Sequence, residues 1–293
     1  VIPLRFAFVF PYPAIALAIA GSLAYILGIK KLARPLAPEG HKVRLRDVAT
    51  PAEIRLFFLG LLILVLLEAW PAVELARYVS ALAYLTHNIL ILLVAVPLML
   101  RGLPRWLAYR LTEFPVVDDV ISLLTRPVIA TMIYFVVLVG SMTPFIVEQQ
   151  ATSTTVFIYL QVMLVFGAIV MWLPAMRLVP GVATMSIGAR VVYIFAQSLL
   201  PAFPGFILIF SHHTFYPIFA QNSHLLGISG VADQELAGGV DKTITFGILW
   251  IYAFAIMGSA QSREDAGQDP EPITWMDVQR EFERNDRRPR HRR

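Results

Sequence analysis

The chain contains no cysteine. That excludes a disulfide framework and a thiolate metal site, so any soft-metal site must draw on His and Met. Charge is scarce too: 15% of the residues are charged and 57% are apolar. A soluble domain carries about 25% charged residues, so this composition describes an integral membrane protein. No Ser/His/Asp arrangement, phosphate-binding loop or paired general acid and base stands out, and no pairing of histidines on adjacent spans suits haem. There is no internal repeat of the kind that builds inverted transporter halves, and no charged residue is expected at a span midplane.

What the sequence has is apolar length. A helix needs about 20 apolar residues to cross the hydrocarbon core. Runs at 6–29, 56–72, 84–100, 127–147, 156–176, 191–210 and 243–260 meet that need. The first has no small-residue cleavage site before the basic loop and is read as a retained span, not a signal peptide. The link 73–83 is expected to lie at the interface. Prolines 11, 13, 97, 144, 174, 201 and 204 fall within spans, and each is expected to bend its helix.

Of the 24 Lys and Arg, all but Arg5, Arg77 and Lys242 fall in 30–55, 101–126, 177–190 and 261–293. Basic loops stay in the cytoplasm. The expected fold is therefore all-α: a polytopic transmembrane helix bundle of about seven spans, N-terminus out and C-terminus in. Residues 1–260 form the seven-span domain and 261–293 a basic cytoplasmic tail. In that tail, 262–272 reads as linker and 273–284 as a short amphipathic helix with Trp275, Met276 and Phe282 on one side. Residues 285–293 are nearly all basic and read as a disordered anchor on anionic lipid. With the basic residues placed beside spans, lipid headgroups and not nucleic acid are the expected partner.

His41 and His291 lie in cytoplasmic segments. His87, His212, His213 and His224 all map to the outward half. Met142 and Met163 sit in the outer halves of their spans. Imidazole and thioether donors together suit copper better than magnesium or calcium. Histidine at a helix end is also an ordinary interfacial residue, and Met an ordinary packing residue. Asp233, Gln234 and Glu235 precede the last span and are expected to cap it, with a contribution to a site as the alternative. Glu68, beside Trp70 and Pro71, reads as an interfacial carboxylate.

Four stretches carry a family resemblance. Residues 90–104 form an apolar run that includes Pro97 and closes on Gly102-Leu103-Pro104. Gly167, Trp172 and Pro174 follow at a fixed spacing. Next come Ser198-Leu199-Leu200-Pro201, Gly205 and Phe215-Tyr216-Pro217. Most specific is Ala232-Asp233-Gln234-Glu235-Leu236-Ala237-Gly238. These resemble the CtaG family of membrane proteins associated with cytochrome c oxidase assembly, across roughly 85–260. The resemblance implies a role in maturing a haem-copper oxidase in a bacterial plasma membrane, through holding or delivering copper, and no reaction of its own. The site residues it brings forward are His87, His212, His213 and His224 with Met142 or Met163. This chain departs from the family's pattern at the third span. Tyr84 and Asn88 stand where the family has two histidines, and His87 is one residue off. The departure keeps a second expectation open, a non-catalytic accessory subunit of a respiratory or other membrane complex.

Overall fold

The computed structural model describes residues 10–34, 44–179, 185–200, 202–270 and 275–287. His41, His291, Pro201, Arg5 and the basic run after Arg287 lie outside the described residues. The described residues are all helical or loop, with no strand.

Helices form along the apolar runs, but those at 56–72 and 127–147 reach spanning length only as parts of bent helix pairs. Helix α1 is Tyr12–Ala33, α2 is Pro51–Leu67, and α3 runs through Ala81–Arg101. Short helices α4 (Arg105–Leu111) and α5 (Pro115–Leu124) follow. Then come α6 (Pro127–Ser141), α7 (Pro144–Thr152) and α8 (Thr154–Met176). The next run carries α9 (Ile187–Leu199) and α10 (Ala202–Phe210), which together count as one candidate span. Helix α11 is Gly230–Asp265 and the tail helix α12 is Trp275–Arg287. Five helices are long and apolar enough to cross a membrane, and the count reaches seven if two bent pairs each make one span. One such pair is α2 with Ala72–Val79, bent by 58°. The other is α5 with α6, bent by 75°.

Local chemistry explains the boundaries. Thr50 opens α2 with a capping box: its hydroxyl accepts from the Glu53 N–H, and Glu53 accepts from the Thr50 N–H. Ser153 and Ser229 cap α8 and α11 in one direction only, their hydroxyls accepting from the Val156 and Ala232 N–H groups. Such caps contribute about 1 kcal/mol each.

Lipid tails are as apolar as leucine, so close packing and hydrogen bonds hold spans together. Gly60 on α2 lies against the Ala95 carbonyl, where a Cβ would sit 2.5 Å from the oxygen. Helix α3 contains a π-turn at Ile91–Ala95, and there the Leu92 carbonyl accepts from Trp172 Nε1 of α8 at 2.9 Å. That contact gives Trp172 its place. Tyr25 of α1 donates to the Gly102 carbonyl at 2.9 Å, and Tyr193 of α9 to the Met171 carbonyl at 2.8 Å. The central core gathers Leu85, Ile89 and Leu92 of α3 with Tyr134, Leu164, Trp172 and Leu249.

Three local expectations need correction. The last spanning helix begins at Gly230 and not at 243, and it crosses residue 260 without a break. Its length of 36 residues is about 54 Å, more than the roughly 30 Å hydrocarbon core needs. Asp241 and Lys242, read from sequence as part of the connection, are buried inside it, 2% and 6% exposed. In the tail, Trp275 and Phe282 are 76% and 64% exposed, and the buried face is built on Arg280. The Arg280 guanidinium donates to the Tyr109 carbonyl and to Thr112 Oγ1, each at 2.7 Å, and lies over the Tyr109 ring. Arg284 meets the buried Asp118 carboxylate through two bonds, at 2.8 and 2.7 Å. That pairing raises the Arg284 pKa, chiefly through the Asp118 hydrogen bonds.

Candidate functional site

The most conspicuous motif, Asp233-Gln234, turns out to be scaffold. The first N–H groups of a helix have no partner within it. At α3 they are met from another helix. Asp233 accepts from Ser80 Oγ at 2.5 Å, from the Ala81 N–H at 2.6 Å and from the Leu82 N–H at 3.3 Å. Ser80 Oγ accepts from the Ala83 N–H at 3.2 Å. Asp233 thus caps α3, while Ser229 caps its own helix. The sequence expectation that Asp233 caps the last span is corrected on this point. Gln234 Oε1 accepts from the Phe215 N–H, and its Nε2 donates to the His213 carbonyl at 3.1 Å. The motif therefore ties both the start of α3 and the histidine-bearing connection to α11.

His87 lies six residues into α3 from Ala81, about 9 Å along the axis. It is 3% exposed. Its Nε2 faces Glu68 Oε1 at 3.5 Å and makes no hydrogen bond. Its Nδ1 is 3.4 Å from Asn88 Oδ1. Asn88 Nδ2 is buried and makes no hydrogen bond. Tyr84, one turn earlier, donates to the Ser141 carbonyl at 2.7 Å. Beside that contact, Tyr216 donates to the Met142 carbonyl at 2.7 Å. The result is a buried polar pocket in which an imidazole nitrogen and an amide nitrogen have nothing to bond, a costly state in a dry interior. Glu68, at the end of α2 and set aside in the sequence as interfacial, is a member of this pocket. The signal that pointed to it was an ionisable residue beside a span.

The other predicted residues are placed differently. Met142 is buried at the end of α6, and Met163 is half-buried on α8. His212 and His213 are exposed in the connection after α10, and His224 is exposed on a 3-10 turn. Among the described residues no three His, Cys, Asp or Glu side chains come together as a metal-holding group. A second buried polar feature lies in α11: Lys242 Nζ and Asp241 Oδ2 pair at 2.6 Å, and the Lys242 chain crosses Gly205 of α10, where a Cβ would meet Lys242 Cε.

The fold and this cluster define a helical membrane protein with a buried histidine beside a half-buried carboxylate near one end. The profile of the cytochrome c oxidase caa3 assembly factor (Caa3_CtaG) family matches residues 23–261. The chain belongs to that family. No curated protein and no solved structure gives a significant match.

Proposed function

We propose that this chain acts in a bacterial plasma membrane as an assembly factor for a haem-copper oxidase of the respiratory chain, with the His87 pocket facing outward. The orientation rests on the placement of Lys and Arg, which keeps the basic end in the cytoplasm. The observation that carries the site is the buried His87 Nε2, unbonded and 3.5 Å from a carboxylate. An imidazole nitrogen with a free lone pair beside a carboxylate oxygen is a metal donor pair of the nitrogen-and-oxygen type that divalent copper takes.

Two donors fall well short of the closed four-ligand cage of a structural metal site. They fit copper as cargo, held loosely and passed on, with exposed His212, His213 and His224 or buried Met142 and Met163 as further donors on the way. The reading assigns the chain no reaction of its own. Its direct partner is the oxidase whose metal centres it serves.

A second reading, a permanent accessory subunit, draws support from the absence of a three-ligand group among the described residues. Oxidase isolated from a strain carrying His87→Gln separates the two. The assembly reading expects under-loaded copper centres and low oxidase activity with no assembly factor retained. Full copper and activity, with the chain bound in fixed stoichiometry to mature oxidase, contradicts it and favours the subunit.

A further inference from the structure

The opposite end of the bundle contains a cleft that the assembly reading does not use. Two adjoining cavities of ≈ 360 and ≈ 510 Å³ share Arg105, Met176, Leu178, Arg190, Ile256 and Ser259 among their lining residues. Arg177 and Arg263 line the first, and Arg101 lines the second. Five arginines thus line the cleft from the ends of α3, α8 and α11 and the starts of α4 and α9, with Arg190 also donating to the Ala175 carbonyl at 3.2 and 3.0 Å. Against them the walls contribute one carboxylate, Glu53, and Asp277 of the tail helix reaches Arg105 at 3.9 Å. Between the arginines the walls are apolar, with Met176, Leu178, Ile256 and Tyr252.

Arg177 adds an independent observation. It ends α8 with φ 52 and ψ 42, the left-handed region, and is the only non-glycine with positive φ among the described residues. Glycine takes this conformation without strain; arginine does not, and such strain concentrates at binding sites. Cations at the ends of α3, α8 and α11 also compensate helix dipoles. Dipole compensation alone requires neither an open cavity nor arginine in a left-handed turn.

We propose that this cleft binds a phosphate group, supplied by an anionic glycerophospholipid. Arginine forks match phosphate oxygens in pairs. A basic pocket between spans at the level of the headgroups, with apolar walls for the first acyl carbons, is the setting in which anionic lipid is held.

The test uses the full-length protein in detergent, with phosphatidylglycerol, phosphatidylcholine and inorganic phosphate as probes, read by native mass spectrometry and thermal shift. Phosphatidylglycerol is expected to bind in preference to phosphatidylcholine. Each basic residue near an anionic surface contributes about fivefold, so Arg101→Gln with Arg263→Gln should weaken it roughly thirtyfold. Both side chains are exposed, so the double variant should fold. Arg177→Gly is a second check: it relieves the left-handed strain, so melting should hold or rise while phosphatidylglycerol binding falls about fivefold. If inorganic phosphate binds the wild type and not the double variant, with no preference between lipids, the phosphate chemistry stands and its source is a free anion. Equal binding of both lipids with no response to phosphate, or unchanged binding in the double variant, overturns the proposal.

Discussion

The two ends of the bundle use polar side chains in opposite ways. At the histidine end they are consumed by backbone. Asp233 and Ser80 take the first N–H groups of α3, and Gln234 takes those of the connection. Glu148 accepts from the Ile218 N–H, and Arg77 exchanges bonds with Gln150 through the carbonyl of each. What remains at this end is a small remainder that includes His87 Nε2, Asn88 Nδ2 and Ser223 Oγ. At the arginine end, one set of guanidinium groups clamps the tail helix and another surrounds a cavity. The lesson is that a motif's visibility does not mark a site. Asp233-Gln234 is the most recognisable run in the chain, and it ties the start of α3 and the connection after α10 to α11.

The sharpest way to break this contrast is Asp233→Ala. It strips the Asp233 cap from α3 and leaves the Ser80 hydroxyl proton and the Ala81 N–H unpaired, at a cost of about 2–4 kcal/mol. Thermal unfolding in detergent reads this; a loss under about 0.5 kcal/mol would contradict the scaffold role of Asp233. A smaller effect is expected from Asp118→Ala, about 1–3 kcal/mol and confined to tail docking, since it leaves Arg284 without its carboxylate. Limited trypsin digestion should then cleave within 275–287 in the variant before the wild type, with the spans intact. Equal cleavage would mean that the clamp does not hold the tail.

The smallest effect is a pH response of the same clamp. Tyr109 donates to Glu283 at 2.6 Å, and burial, with the Glu283 bond second, raises its pKa from 10.0 to about 12. The docked state therefore keeps the proton that the released tail loses. Its contribution is complete below about pH 10 and is lost as pH climbs to about 12. Protease protection of the tail should fall in that window, and Tyr109→Phe should abolish the dependence.

Much of the architecture is legible in the sequence because hydropathy is a local property. Apolar runs located the long helices. The start of α11 was not legible. Gly238, Gly239, Asp241 and Lys242 read as loop because they are poor residues for a lipid-facing helix. They remain helical for tertiary reasons: Asp241 and Lys242 neutralise each other, and Gly238 lies against the Gly205 carbonyl, where a Cβ would sit 2.7 Å from the oxygen. The site was half legible. His87 was visible as an ionisable residue near one face. Its pairing with Glu68 depends on the break after α2, and periodicity does not carry that information. The exposed His212, His213 and His224 looked equivalent to His87 in sequence, where burial cannot be seen. The tail helix was foreseen as amphipathic, with Trp275, Met276 and Phe282 on one side; that its docked side is built on Arg280 was not legible, because the partner surface, Tyr109, Thr112 and Asp118, lies about 170 residues earlier.

The measurement that tests the account most directly is copper binding by the purified chain, wild type against His87→Gln and Glu68→Gln. Losing even an outer-shell partner of a metal ligand costs about 10–100-fold in affinity, so losing a ligand should cost at least tenfold. The account predicts that wild type binds divalent copper reversibly and that both variants bind at least tenfold more weakly with unchanged melting. Equal copper binding by all three proteins, or none by the wild type, would contradict it.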